Sequence, residues 1–200
     1  MTRSNGLIAT VADVARIERV PLAARIEADS TYAMLQQAAS RHVDCDALVF
    51  VPKGSADESP FVYSYADLLR RVTQAANLFH RLGVGPGDVV AYALPNLPQA
   101  HFTLWGAEAA GIACAINPML ESQHIAEILR AAGAKVLVTL APGPGGELWD
   151  KMAAVVAQVP TLETVLQVGL AQFLVPGFTP QPAAAAAHAG RAVLDFDAEC

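Results

Sequence analysis

The sequence predicts an α/β fold: a three-layer sandwich around a mainly parallel, doubly wound sheet, preceded by an irregular N-terminal segment. Three observations predict it. Short apolar runs at 88–94, 113–116, 135–140 and 164–168 alternate with longer segments of helical periodicity. The runs are apolar almost throughout, as strands buried on both faces require. Gly83, Pro86-Gly87, Gly133 and Pro160 fall between the elements, where they end helices and turn the chain.

Each element has its own justification. "VADVARIERVPL" predicts a short helix ending before Pro21, and "TYAMLQQAASRH" (31–42) a second, with Tyr32, Leu35 and Ala39 on one side. "DALVFV" (46–51) is a strand, "PKGSADESP" (52–60) a polar turn and "FVY" (61–63) its hairpin partner. Over 65–82, Leu68, Leu69, Val72, Ala75, Ala76, Phe79 and Leu82 recur at helical spacing. Ser64 and Asp67 fit a capping box at its start.

"GVGPGD" (83–88) then sets three glycines at every second position. A phosphate loop needs the order strand, glycine turn, helix, because only that order aims backbone N–H groups and a helix N-terminus at the anion. Here a helix precedes and the strand "DVVAYAL" follows, so the run is a turn with Gly83 as a left-handed helix stop.

Pro98 suits the first turn of a helix running to Ala110, apolar nearly all round and so covered on two sides. After "ACAI" (113–116), Ser122 caps a helix through Ala132, with Ile125, Ile128 and Leu129 inward and Gly133 as its stop. Strand "KVLVTL" (135–140), loop "APGPGG", helix 147–159 and strand "TVLQV" (164–168) complete the alternation. "LVPGFTPQPAAAAAHAG" (174–190) reads as a linker, and "RAVLDFDAEC" begins a new amphipathic element and stops, as in a chain cut short. The expected organisation is an N-terminal helical and irregular segment (1–44), an α/β subdomain (45–170), and a linker with the start of a further element (171–200).

Composition narrows the function classes. A chain of 200 residues that is 54% hydrophobic and 16% charged can bury a sizeable core. Its net charge of −6, with no basic stripe, gives no footprint for nucleic acid. Cys45, Cys114 and Cys200 form neither a CxxC nor an even set, which fits a reducing, cytoplasmic setting. The N-terminus lacks the apolar core of a secretory signal. The longest stretch free of charge, Val89–Ala107, carries Pro95, Asn96, Pro98, Gln99 and His101, so no transmembrane segment is expected.

No residue earns a catalytic, cofactor-binding or metal role. "PGPGG" (142–146) follows a strand and precedes a helix, but lacks the lysine and Ser/Thr of a P-loop, so a plain loop is expected. His42, His80, His101, His124 and His188 show no paired ligand spacing. Asp67 and Asp88 sit where capping explains them. Cys114 lies in an apolar strand as a core residue. In open α/β sheets ligands gather beyond the carboxyl ends of the strands. Asn96, Asn117 and Pro118 occupy such ends and are the candidates for a pocket wall or subdomain interface, with turn formation as the competing role.

In combination and in order, several stretches resemble the N-terminal subdomain of the adenylate-forming acyl-CoA synthetases. These are "YSYADLL", "LGVGPGDVV", "LPNLP", "GAEAAGIACAINP" and "AGAKVLV", and the likeness covers about residues 45–168. The opening region and "LDFDAE" look like a bacterial acyl-CoA synthetase of the fatty-acyl type. The resemblance implies a parent enzyme using ATP, Mg²⁺ and coenzyme A. A carboxylic, fatty acid would become an acyl-adenylate and then a thioester. The family's phosphate loop ending in Pro-Lys-Gly is absent, and the three lysines, Lys53, Lys135 and Lys151, sit in no such loop. The resemblance therefore implies an N-terminal portion, inactive alone, whose partners are the remainder of the parent chain and a small carboxylic acid. The residues themselves leave open a stand-alone, non-catalytic α/β module that docks a partner.

Overall fold

The computed structural model describes residues 8–55, 57–143, 147–175 and 186–200. The N-terminal segment holds α1 (Val11–Glu18), a 3-10 turn (Leu22–Ala24) and α2 (Thr31–Arg41). Thr10 and Asp13 form a capping box on α1, yet the helix buries no residue. α2 is anchored better. Ser30 caps it, Ala39 is buried, and the Tyr32 hydroxyl lies 2.7 Å from Thr73 Oγ1.

β1 (Asp46–Phe50) and β2 (Phe61–Ser64) pair antiparallel as a separate two-stranded sheet. α3 (Tyr65–Arg81) follows, then β3 (Val89–Ala93), α4 (Pro98–Ala110), β4 (Ile112–Ala115), α5 (Ser122–Ala132), β5 (Ala134–Leu140), α6 (Glu147–Val156) and β6 (Thr164–Val168). After the short α7 (Ala171–Leu174) come β7 (Ala186–His188), β8 (Arg191–Asp195) and α8 (Phe196–Glu199).

The main sheet has the order β4-β3-β5-β6-β8-β7, parallel except for β7 against β8. From β3 the chain steps outward to β4, then crosses back over β3 to β5. α3 and α4 cover one face, with Val72, Phe79, Phe102 and Ala107 against Val90, Val136, Val138 and Leu166. α5 and α6 cover the other, with Ile125, Leu129, Met152 and Val155 against Ala91, Leu137, Val165 and Val193. Alternate strand residues serve opposite faces, which is why these strands read as unbroken apolar runs. The three-layer, mainly parallel, doubly wound fold is as expected.

Residues 83–88 are a turn. Gly83 has φ +76° and donates its N–H to the His80 carbonyl (2.9 Å), while Val84 N–H donates to Phe79 (3.0 Å). This is the paired hydrogen bonding of a Schellman stop, and Val84 joins Phe79 in the core beneath it. Ser64 and Asp67 form the expected capping box at the other end of α3.

Four local expectations change. α5 starts at Ser122 itself, with Glu121 at the N-cap and no side-chain cap. The turn upstream, closed by Leu120 N–H on the Asn117 carbonyl, brings the chain into helical register a residue early. Ile128 is exposed, and Ala126 takes its place in the core. At about 100° per residue, 125, 126 and 129 share one side of the helix and 128 falls outside it. α6 ends at Val156, short of 159. Finally, of the tail read as a linker and a new element, residues 186–195 contribute to the same sheet, while 176–185 lie outside the described residues. β8 pairs with β6, and Ala189 and Gly190, both at positive φ, join β7 to β8 in a two-residue hairpin. A five-residue strand gives little periodicity to recognise, and its pairing with β6 is set by position in space.

Two glycines set packing distances. A Cβ on Gly106 would lie 2.8 Å from Ala75 Cβ, so α3 and α4 meet backbone to backbone there. A Cβ on Gly111 would lie 2.6 Å from the Asp88 carbonyl oxygen and 2.7 Å from that of Gly85. The end of α4 is thereby pressed against the turn that starts β3.

Candidate functional site at the carboxyl end of the sheet

The reversal of strand order places a topological switch between β3 and β5, where chain paths diverge and leave a crevice. The loops after β3, β4 and β5 meet there. Between them lies a cleft of about 360 Å³ with walls from Pro95, Pro118, Met119, Leu140 and Leu148. Glu147 and Lys151 supply its polar rim. Larger clefts, of about 590 and 760 Å³, lie beside α2, away from the strand ends.

The three residues chosen from sequence divide. Pro118 lines the cleft. Asn117 is exposed, and its Oδ1 accepts Met119 N–H at 2.9 Å, so it shapes the loop as an Asx turn. Asn96 is exposed in the β3–α4 loop and is not among the cleft-lining residues. Sequence reading missed Lys151. Its Nζ donates to the carbonyls of Pro118 (3.1 Å) and Leu120 (2.9 Å), tying α6 to the β4 loop. One position on an amphipathic helix carried no signal of that role.

A second polar group lies outside the cleft lining, at the start of α4. Gln99 is 2% exposed in the first turn of α4, and its Nε2 donates to both Asp197 oxygens (3.1 and 3.0 Å). Gln172 Nε2 adds a third bond at 2.9 Å, so one carboxylate joins α4, α7 and α8. Burial, then the nearby Asp197 charge, pushes the Cys200 thiol up to about 12. Burial also raises Cys114. Neither thiol is disposed to act as a thiolate nucleophile near neutrality. Residues 144–146 of the "PGPGG" loop lie outside the described residues.

With this geometry in place, comparison with known proteins is decisive. A family model described as "AMP-binding enzyme" matches residues 35–191. The chain belongs to that family. Among curated proteins it is similar to the marinolic acid–CoA ligase of Pseudoalteromonas sp. (strain SANK 73390), 33% identical over 81% of this chain and 25% of that protein. It is also similar to 4-coumarate–CoA ligase 3 of Oryza sativa subsp. japonica, 33% identical over 57% of this chain and 20% of that protein. Among solved structures, an acetoacetyl-CoA synthetase from Streptomyces lividans superposes with a TM-score of 0.64 at 26% identity, covering 84% of this chain and 24% of that one. An anthranilate CoA ligase in complex with anthranoyl-AMP shares the fold, with a TM-score of 0.64 at 19% identity over 85% of this chain and 27% of that chain. The chain thus spans about a quarter of the length of these AMP-binding relatives.

The side chains of the described residues do not fit a magnesium nucleotide. Among the described residues no group of three or more His, Cys, Asp and Glu side chains is placed to hold a metal. Lys135 and Lys151 are each committed to backbone carbonyls, and Lys53 lies in an exposed turn. No step of nucleotide chemistry is assigned to this chain's side chains.

Proposed function

We propose that the chain is the N-terminal portion of an AMP-forming acid–thiol ligase. The whole enzyme would activate a carboxylic acid, of fatty type, with ATP and Mg²⁺ and pass the acyl group to coenzyme A. The observation that carries this is the family match over 35–191 together with relatives that are CoA ligases. In this reading the chain supplies scaffold. Pro118 supplies the pocket wall, and the exposed Asn117 and Asn96 in the neighbouring loops are the subdomain interface toward the remainder of the polypeptide.

The chain alone is inactive on the same reading. ATP is a polyanion, and the net charge of −6 opposes its approach. An exposed helix N-terminus contributes about 0.3–1 kcal/mol toward an anion, whereas millimolar binding requires roughly 4 kcal/mol. Three free cysteines support a cytoplasmic setting. No helix among the described residues is long and apolar enough to cross a membrane.

The test is acid-dependent ATP–pyrophosphate exchange with a panel of fatty acids, in two arms. The polypeptide of the whole reading frame is expected to exchange, and the 200-residue chain is not. Exchange by the short chain overturns its inactivity. A reading frame that stops at Cys200, or a whole-frame protein silent across the panel, overturns the ligase reading.

A further inference from the structure

Among the described residues, the buried polar atoms without a hydrogen-bond partner are Arg71 Nε, Gln74 Oε1, Gln99 Oε1, Thr103 Oγ1 and Thr139 Oγ1. Three of them gather at one junction. Gln99 and Thr103 stand one turn apart on α4 and are 2% and 0% exposed. Arg71 belongs to α3, the helix packed against α4. The two helices run in the same direction. Tyr63, just ahead of α3, meets Phe102, and further along both helices Ala75 meets Gly106. Arg71 is one turn before Ala75, and Thr103 about one turn before Gly106, so the two stand at the same level.

The charges converge on the same place. Burial raises the Tyr63 hydroxyl, the Arg71 charge opposes that rise, and Asp197 and then Asp67 add to it. Asp197 and Arg71 also act with opposite sign on Cys200. Arg71 therefore lies beside the Gln99–Asp197 pair, yet it makes no direct ion pair among the described residues. Gln99 has its Nε2 committed to both carboxylate oxygens, which leaves Oε1 on the side away from Asp197. A buried donor or acceptor left unmatched costs its whole desolvation. Buried waters make about three hydrogen bonds each to such groups. Thr103 is the residue that a dry junction leaves unexplained, because valine has its shape without a hydroxyl to bury.

We propose that the junction of α3, α4 and α8 is an internal water site, in which one water accepts from Arg71 Nε–H and donates to Gln99 Oε1 and Thr103 Oγ1. One donor and two acceptors suit a single water with three bonds. The water links the guanidinium of α3 to the carboxylate network of Asp197, Gln99 and Gln172. Four helices, α3, α4, α7 and α8, thereby share one polar unit inside an apolar layer that includes Leu68, Phe102, Phe173 and Phe196. Asp197 holds the network from the side of α8, and the water holds it from the side of α3.

The experiment pairs a high-resolution crystal structure of the 200-residue chain with oxygen-17 relaxation dispersion of the same chain in solution. One fully occupied peak within hydrogen-bonding distance of Arg71 Nε, Gln99 Oε1 and Thr103 Oγ1 is expected. In solution Thr103→Val should remove one long-lived water. Thr73→Val should remove none, because the Thr73 hydroxyl is already bonded to the Leu69 carbonyl and to Tyr32. Thr103→Val and Arg71→Met should each lower the thermal midpoint. The double variant should fall by less than the sum, since either change alone releases the water. If Arg71→Met does not fold, Arg71→Lys, which keeps the charge and lacks the Nε–H, takes its place. A dry junction gives the opposite sign for Thr103→Val, because a methyl there relieves an unpartnered hydroxyl. That sign overturns the proposal, as does Arg71 Nε bonded directly to a protein acceptor. So does a strictly additive double variant, or an unchanged number of long-lived waters in Thr103→Val.

Discussion

At the amino end of the parallel sheet, Lys135 donates to the Gly83 carbonyl at 2.7 Å and to Asp88 Oδ2 at 3.2 Å. At the carboxyl end, Lys151 donates to the carbonyls of Pro118 and Leu120. The two lysines do the same work, tying a loop to a neighbouring element, but their surroundings differ. The amino end is shut: Gly111 is pressed against backbone, Val84 is buried, and Asp88 closes its own turn by accepting Gly85 N–H at 2.9 Å. The carboxyl end is open: Pro95, Asn96, Asn117 and Met119 are exposed around a cleft. Glycine-rich loops therefore do not mark binding by themselves. The glycine-rich turn at 83–88 is one that seals, and the crevice lies where the winding of the sheet reverses.

The sharpest way to break this contrast is at Gly111. Gly111→Ala puts a methyl within 2.6 Å of backbone that cannot rotate away. Destabilisation of about 3 kcal/mol is expected, read as a lower urea midpoint with an unchanged slope. A shift near zero would mean that the amino end is loosely packed. Next comes Lys151→Met, which leaves two loop carbonyls without their charged donor and should cost about 1–2 kcal/mol. Lys135→Met is expected to cost less, since the Gly83 carbonyl can turn to water. Equal losses would erase the distinction between the ends.

A pH profile sharpens the comparison further. The Gly85 N–H, and then Lys135, hold the Asp88 carboxyl below its ordinary value. A carboxylate whose pKa is lowered by folding adds stability that is present above its unfolded value, near about 4, and lost as pH falls through the folded value. Asp88→Asn should therefore lower the melting temperature at pH 7 and converge with the parent as pH falls through the lowered folded value. Parallel profiles would show that the charge contributes nothing. The smallest effect belongs to the open end. Asn96→Ala removes an exposed side chain and should shift stability by less than about 0.5 kcal/mol. A larger loss would make Asn96 part of the scaffold.

Much of the fold was legible because each helix carries its own start and stop. The Ser64–Asp67 capping box, Pro98 in a first turn, and Gly83 and Gly133 in the left-handed region are local events. Local sequence chemistry is enough to specify them. Ile128 failed because periodicity gives the apolar side of a helix but not how wide a stripe its neighbours cover. The candidate site was legible only as a location. The strand ends drew attention to Pro118, whereas Lys151, Leu140 and Leu148 come from residues whose types are unremarkable and whose convergence depends on the crossover from β4 to β5.

The sequence by itself determined the α/β class, the helices with their main stops at Gly83 and Gly133 and the turn at 83–88, since propensity, capping and glycine conformation act over a few residues. It also carried the likeness to acyl-CoA synthetases in the order of its motifs. Tertiary structure alone decided the strand order, the membership of β8 in the sheet, the approach at Gly106 and Gly111, and the Gln99–Asp197–Gln172 junction. Each of these joins residues distant along the chain, and which partners meet is fixed by how the layers close over the two apolar faces of the sheet.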